Sequence, residues 1–228
     1  PGLRRGLLKR CAKDHFRTIL MSATLTPSNL STLEELFGPK DDVQIISAVS
    51  LRSEPTYWSN FAGSKEEKIE RLDEALRHVP RPFIVYMSKR SDVQDYCNHL
   101  KNVENYKRIA EFHGGTGAKD RDVIIKQWQD NKIDGIIANS AFGLGIDKSD
   151  VRSVVHGALP ESLDRFYQEV GRGGRDGKPS ASISIYRHED IQTAFNLAEG
   201  SVIGTRRSFE RWTTMWNKKK PFGTNLWA

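Results

Sequence analysis

Between residues 65 and 190, apolar runs of four or five residues alternate with longer stretches whose apolar positions recur at helical spacing. The runs Phe83–Met87, Ile109–Phe112, Gly135–Ala138, Ser153–His156 and Ser182–Tyr186 predict strands. The periodic stretches predict helices over Asp92–Leu100, Lys119–Gln129, Leu163–Val170 and Glu189–Leu197. A further helix follows Ser64-Lys65-Glu66-Glu67, a capping box ahead of Ile69, Leu72, Ala75 and Leu76. Strands that alternate with helices in this way predict βαβ units, hence an α/β fold with a mostly parallel sheet.

Residues 17–47 predict a separate small unit. It would hold a strand over Arg17–Met21, the turn Ser22-Ala23-Thr24, a helix over Pro27–Phe37 and a strand over Val43–Ile46. Pro27 in the first helical position and Gly38 after the last follow the usual asymmetry of helix ends. The stretch 51–63 contains Pro55 and shows little periodicity, so it reads as a linker with a domain boundary near residue 60. After residue 200, tryptophans interleave with Arg206, Arg207, Arg211 and the run Lys218–Lys220. Phe209, Trp212 and Trp216 share one helical face, which favours packing against a neighbouring domain over stacking on bases.

Charge changes this picture only at the ends. The net charge is +6, but residues 1–20 and 201–228 each contribute +5, which leaves −4 for the middle. Phosphate contacts in the central domain must therefore come from a few placed groups. Two cysteines, Cys11 and Cys97, have neither the number nor the spacing of a disulfide framework or a zinc cluster, so no metal ligand set is expected. A mean hydropathy of −0.57, with no apolar run long enough to span a bilayer, predicts an intracellular chain with no membrane partner. That means the cytoplasm or nucleoid of a bacterium, or the nucleus of a eukaryote.

The candidate chemistry lies in the loops. Open parallel sheets bind ligands beyond the carboxyl ends of their strands. There this chain has Ser88-Lys89-Arg90, His113-Gly114-Gly115, Asn139-Ser140 and His156-Gly157. Tyr167-Gln168-Glu169-Val170-Gly171-Arg172-Gly173-Gly174-Arg175-Asp176-Gly177 ends an amphipathic helix in a glycine-rich turn with Arg172 and Arg175 three residues apart. Guanidinium forks on a flexible turn match phosphate oxygens. A dinucleotide fingerprint does not fit, because its third glycine falls on Asp176 and the turn follows a helix. His156, at a strand end, reads as a structural histidine. Asp73-Glu74-Ala75-Leu76 lies within a charged amphipathic helix and is not a metal-binding acidic box.

These segments, in this order, resemble motifs of superfamily 2 helicases, most closely the RecQ-like DNA helicases. Ser22-Ala23-Thr24 is similar to motif III, Phe83–Arg90 to motif IV, Asn139–Asp147 to motif V and Tyr167–Gly177 to motif VI. Glu111–Gly115 is similar to the loop that many relatives begin with Tyr-His-Ala-Gly. The resemblance implies a RecA-like three-layer fold of the P-loop NTPase class. Residues 1–50 would be the end of a first lobe, 64–199 a second lobe, and 200–228 the start of a further domain or tail.

By the same resemblance, Arg175 would be the arginine finger, supported by Arg172 and Gln168, with Gly145 and Asp147 beside the nucleotide. Lys89, Arg90, His113, Gly114 and Ser140 would meet the DNA strand, and Ser22 and Thr24 would couple the two sites. The implied substrate is ATP with Mg²⁺. The implied partners are single-stranded or partly duplex DNA and the first lobe of the same protein, and the implied activity is 3′ to 5′ translocation with unwinding.

The chain also departs from the family. No Gly-x-x-x-x-Gly-Lys-Ser/Thr occurs, so ATP would be held mainly by a first lobe and this chain alone would be inactive. No cysteine follows Cys97, unlike RecQ proteins with a four-cysteine zinc module, and Gly174 stands where relatives usually have alanine. The alternatives are a nucleic-acid translocase or remodeller, an RNA helicase, and a non-catalytic nucleic-acid-binding module that retains the fold.

Overall fold

Residues Phe83–Tyr86, Gly135–Ala138 and Ser153–His156 are buried at every position, as strands covered on both faces of a sheet must be. They lie at the centre of a computed structural model that describes residues 19–22, 27–37, 44–46, 52–143, 147–201 and 205–218. Contacts divide the chain into two units, Pro1–Arg52 and Ser53–Ala228.

In the first unit the expected helix forms as α1 (Pro27–Phe37), with Phe37 buried. The strands expected at Arg17–Met21 and Val43–Ile46 do not form over the described parts of those stretches. Ile19–Met21 and Gln44–Ile46 are irregular, and Met21 and Ile46 are 91% and 86% exposed. An apolar run becomes a strand only where a neighbour takes up its backbone groups, and the described residues of this unit contain no strand. Thr24 lies outside the described residues, while Ser22 is exposed and irregular.

The second unit runs β1 (Pro55–Phe61), α2 (Lys65–His78), β2 (Phe83–Tyr86), α3 (Arg90–Asn102), β3 (Ile109–Phe112), α4 (Ala118–Gln129), β4 (Gly135–Ala138), β5 (Ser153–His156), α5 (Leu163–Val170), β6 (Ser180–Tyr186), α6 (His188–Ser201) and α7 (Thr205–Lys218). All strand pairs are parallel, in the order β1-β6-β5-β2-β4-β3. Alternate residues of β2 feed opposite faces. Phe83 and Val85 join Leu72, Leu76, Val93 and Leu100 beneath α2 and α3, whereas Ile84 and Tyr86 join Phe112, Trp128, Ile136 and Phe142 beneath α4. The result is the expected three-layer α/β arrangement.

The stretch read as a linker is instead the edge strand β1, paired with β6 from Pro55↔Ser180 to Phe61↔Tyr186. Only Pro55 is buried in this strand, so β1 lacks the apolar alternation that marks a half-buried strand. Proline at the first position of an edge strand costs no ladder bond.

At α2, Ser64 accepts a hydrogen bond from the Glu67 amide at 3.1 Å, and the Glu67 carboxylate accepts from the Gly63 amide at 2.6 Å. Asp73, in the sequence that imitates an acidic box, is buried and accepts from the Tyr96 hydroxyl at 3.0 Å, with His99 Nε2 at 2.7 Å. It ties α2 to α3. In α7, Trp212 and Trp216 stack at 5.8 Å and each is 54% exposed.

Candidate functional site

Because every strand runs the same way, the loops after β2, β3 and β4 emerge on one edge of the sheet. The arginine turn 171–177 lies at the opposite edge. There Gly174 donates its amide to the Val151 carbonyl at 2.9 Å and Asp176 to that of Ser149 at 3.1 Å, both just ahead of β5. The described segment 139–143 follows β4 at the first edge, and Asp147 pairs with the arginine turn.

Side chains from α5 and its turn meet this segment as rungs. Arg165 Nη2 donates to the Ser140 carbonyl at 2.5 Å, Arg172 Nη2 to the Gly143 carbonyl at 2.8 Å, and Arg175 Nη1 to Asp147 Oδ1 at 2.8 Å. Between the first two, the Tyr86 hydroxyl donates to the Phe142 carbonyl at 3.2 Å. Burial pushes the Tyr86 hydroxyl well above the usual phenol range, so it stays a proton donor.

Glycines make these approaches possible. A Cβ at Gly143 would sit 2.8 Å from Arg172 Nη2, so any side chain there would push the guanidinium aside. Gly174 has φ +62°, and a Cβ there would lie 2.5 Å from the Lys178 carbonyl. The base of the turn is fixed by Arg152, whose guanidinium grips the Asp176 carboxylate through both nitrogens. That hydrogen bonding holds the Asp176 carboxyl down at about 2.

Of the expected nucleotide-side residues, Arg172, Arg175 and Asp147 therefore gather at one end. Arg172 is half-buried, and Arg175 and Asp147 form an ion pair at the surface. Gln168 is exposed on α5, and Gly145 lies outside the described residues. The expected nucleic-acid residues gather at the other end. Lys89, Arg90, Gly114 and Ser140 are exposed there, and Arg90 lies so close over Gly115 that any side chain at that position would collide with its guanidinium.

His113 is a correction. It is only 3% exposed, its Nδ1 accepts from the Gly115 amide at 3.1 Å, and its Nε2 lies 3.6 Å from Glu111. It braces the turn from inside and leaves Gly114 at the surface.

Sequence reasoning did not find the buried polar cluster behind these loops. His156 Nε2 lies 3.1 Å from one oxygen of Glu169, whose other oxygen accepts from Arg165 Nε at 2.8 Å. The His156 ring stacks on Tyr86 at 5.5 Å and tilts against Phe166 at 5.0 Å. The i, i+4 spacing of Arg165 and Glu169 on one helix was the available signal.

A cleft of about 490 Å³ opens beside Ser88 and Lys89, between α2, α3 and α6. Two of its cations are paired within the fold, Lys68 with Asp190 at 2.7 Å and Arg187 with Glu189 at 3.6 Å. Among the described residues, no group of His, Cys, Asp and Glu could hold a metal ion, and no helix is long and apolar enough to cross a membrane.

The family model for the helicase conserved C-terminal domain matches residues 67–177. The chain is 33% identical over 178 residues to the probable ATP-dependent DNA helicase RecS of Bacillus subtilis, covering 78% of this chain and 36% of that protein. It is 39% identical over 134 residues to the putative ATP-dependent DNA helicase Q1 of Caenorhabditis briggsae, covering 57% of this chain and 21% of that protein. It thus spans about a third or less of these relatives' length. Among solved structures, Saccharomyces cerevisiae Dbp5 bound to RNA and ADP BeF3 matches with a TM-score of 0.66 at 18% identity, over 85% of this chain and 51% of that one. A DEAD box protein from Methanococcus jannaschii matches with a TM-score of 0.56 at 23% identity, over 86% and 53%. At these identities the structural likeness speaks for the fold alone.

Proposed function

We propose that this chain is a C-terminal lobe of the RecQ-like superfamily 2 helicases, the second motor lobe of an ATP-dependent DNA helicase. It would couple ATP hydrolysis to 3′ to 5′ movement on single-stranded DNA and to duplex unwinding, inside the cell. The observation that carries this reading is the ladder along segment 139–147. An exposed polar loop at Ser140 is tied to Arg165, Gly143 to Arg172, and Asp147 to Arg175.

In this reading Arg175 leaves Asp147 to meet charge growing on the γ-phosphate, while Arg172 holds the turn and Gln168 and Gly145 complete the nucleotide side. Lys89, Arg90, Gly114 and Ser140 contact the phosphates of the tracked strand, and His113 acts through the shape of its loop. Ser22 and Thr24 couple the two sites. ATP with its Mg²⁺ is the substrate, held mainly by a first lobe. This chain alone has no Gly-x-x-x-x-Gly-Lys-Ser/Thr cradle and would not hydrolyse ATP.

The test is the ATPase rate of the full-length protein and of this chain, with and without single-stranded DNA. Turnover confined to the full-length protein and raised by DNA is the expected result. Absence of turnover in both would leave a binding module.

A further inference from the structure

We infer that Arg165 is a positioning residue that transmits contact at the Ser140 loop to the arginine turn, an inference that rests on the motor-lobe reading above. Arg165 is the side chain of α5 that bonds both to the loop at Ser140 and to the buried cluster behind it. Its guanidinium uses two edges at once, Nη2 on the Ser140 carbonyl and Nε on Glu169. Glu169 is in turn locked, with its side chain 6% exposed and its second oxygen against the fully buried His156. His156 stacks on Tyr86, and Tyr86 returns to the same loop at the Phe142 carbonyl.

The circuit closes on itself, so the loop cannot shift at Ser140 without moving either the Arg165 fork or the Tyr86 hydroxyl. Only the first of these lies on α5. Arg172 follows seven residues later on α5 and the turn that continues it, about 10 Å along if the helical rise persists. A displacement of Ser140 by a phosphate would pull on the start of α5, and the helix would carry that displacement to the arginines at its end. The coupling needs no change in the arginines' own contacts with nucleotide. It needs a rigid element tied to both sites, which α5 supplies.

The bond from Arg172 to the Gly143 carbonyl lies within the arginine turn's own reach, and Asn139 bonds locally, accepting from the Ala141 amide at 3.1 Å. Lysine at position 165 would keep the charge beside Glu169, but a single ammonium cannot reproduce the two-edged planar fork.

The experiment compares full-length wild type with Arg165→Ala, Arg165→Lys and Glu169→Gln. It measures ATP turnover without DNA and with saturating oligo-dT, KM for ATP, and the melting temperature. For both Arg165 variants we expect an unchanged rate without DNA, an unchanged KM and a DNA stimulation reduced by about fivefold or more, at the lower end of couplings between sites. Glu169→Gln should move in the same direction. Stimulation equal to wild type in both Arg165 variants would overturn the inference. So would an equal loss of basal and stimulated rates, which marks a purely structural role. A wild-type protein that DNA does not stimulate would overturn the motor-lobe reading, and this inference with it.

Discussion

Arg175 donates from Nη1 to Oδ1 of Asp147 at 2.8 Å, in a pair whose carboxylate is 85% exposed. Exposed ion pairs contribute about 0 to 1 kcal/mol, so this one holds Arg175 in place without committing it. Arg175→Ala in the full-length protein is therefore expected to lower DNA-stimulated ATP turnover by about a thousandfold while the melting temperature hardly changes. Steady-state ATPase assays beside thermal melts check both halves. Retained turnover would remove Arg175 from the arginine-finger role.

Arg172 is held more firmly, and its space depends on Gly143. A methyl group there would sit 2.8 Å from Nη2 and force the guanidinium off the Gly143 carbonyl. Gly143→Ala should therefore impair turnover in the full-length protein while the second lobe stays folded. ATPase and circular dichroism on one preparation distinguish this from a folding defect. Wild-type turnover would show that the Arg172 contact is dispensable.

How far these elements could be read in advance follows from what each residue packs against. Strands β2 and β4 announce themselves because Phe83–Tyr86 and Gly135–Ala138 are buried on both faces and hence apolar throughout. β1 does not, because as an edge strand it buries only Pro55 and needs no alternation. Ile19–Met21 shows the opposite error, an apolar run with no described strand beside it. At the site, Arg172 and Arg175 stand out because a glycine-rich turn has few other uses for two arginines. The His156–Glu169 pair leaves no mark in sequence, since its partners lie 13 residues apart on a strand and a helix. His113 was legible as a loop residue, but not as one turned inward.

Gly135 opens β4 beneath the ring of Phe83 on the neighbouring strand, so close that any Cβ would enter the ring. Glycine in a strand weakens it in isolation and here marks a close approach. Gly135→Ala should destabilise the second lobe by about 1 to 3 kcal/mol, the usual cost of overpacking a filled core. The midpoint of urea unfolding measures it. An unchanged midpoint would mean that Phe83 turns aside freely.

The Arg152–Asp176 pair gives the arginine turn a pH signature. The Asp176 carboxyl is held at about 2 against an ordinary 3.8, chiefly by its hydrogen bonds to Arg152. A carboxyl depressed on folding stabilises the folded state fully above its ordinary value, and the contribution fades as pH falls through the depressed one. The stability difference between wild type and Asp176→Asn should therefore be constant from pH 7 to about 4 and shrink progressively towards pH 2. Urea titrations of both proteins across this range give the difference directly. A difference independent of pH down to 2 would show that the pair does not carry the shift.

At the opposite edge, Lys89 and Arg90 are exposed, and among the described residues no ion pair to a protein carboxylate occupies either. Backbone recognition of this kind is electrostatic and blind to sequence, because each cation that meets a phosphate releases a bound counterion. Replacing either residue by alanine should weaken single-stranded DNA binding to a similar extent for all sequences. It should also reduce the slope of log affinity against log salt by about 1. Fluorescence anisotropy with oligo-dT and a mixed-sequence strand, each over a salt series, separates the alternatives. Loss confined to one sequence would point to base contacts, and an unchanged slope would place the strand elsewhere on the lobe. The ATP KM should not move in these variants, since the arginine turn lies at the far edge of the sheet, fixed to the Val151 and Ser149 carbonyls rather than to this loop.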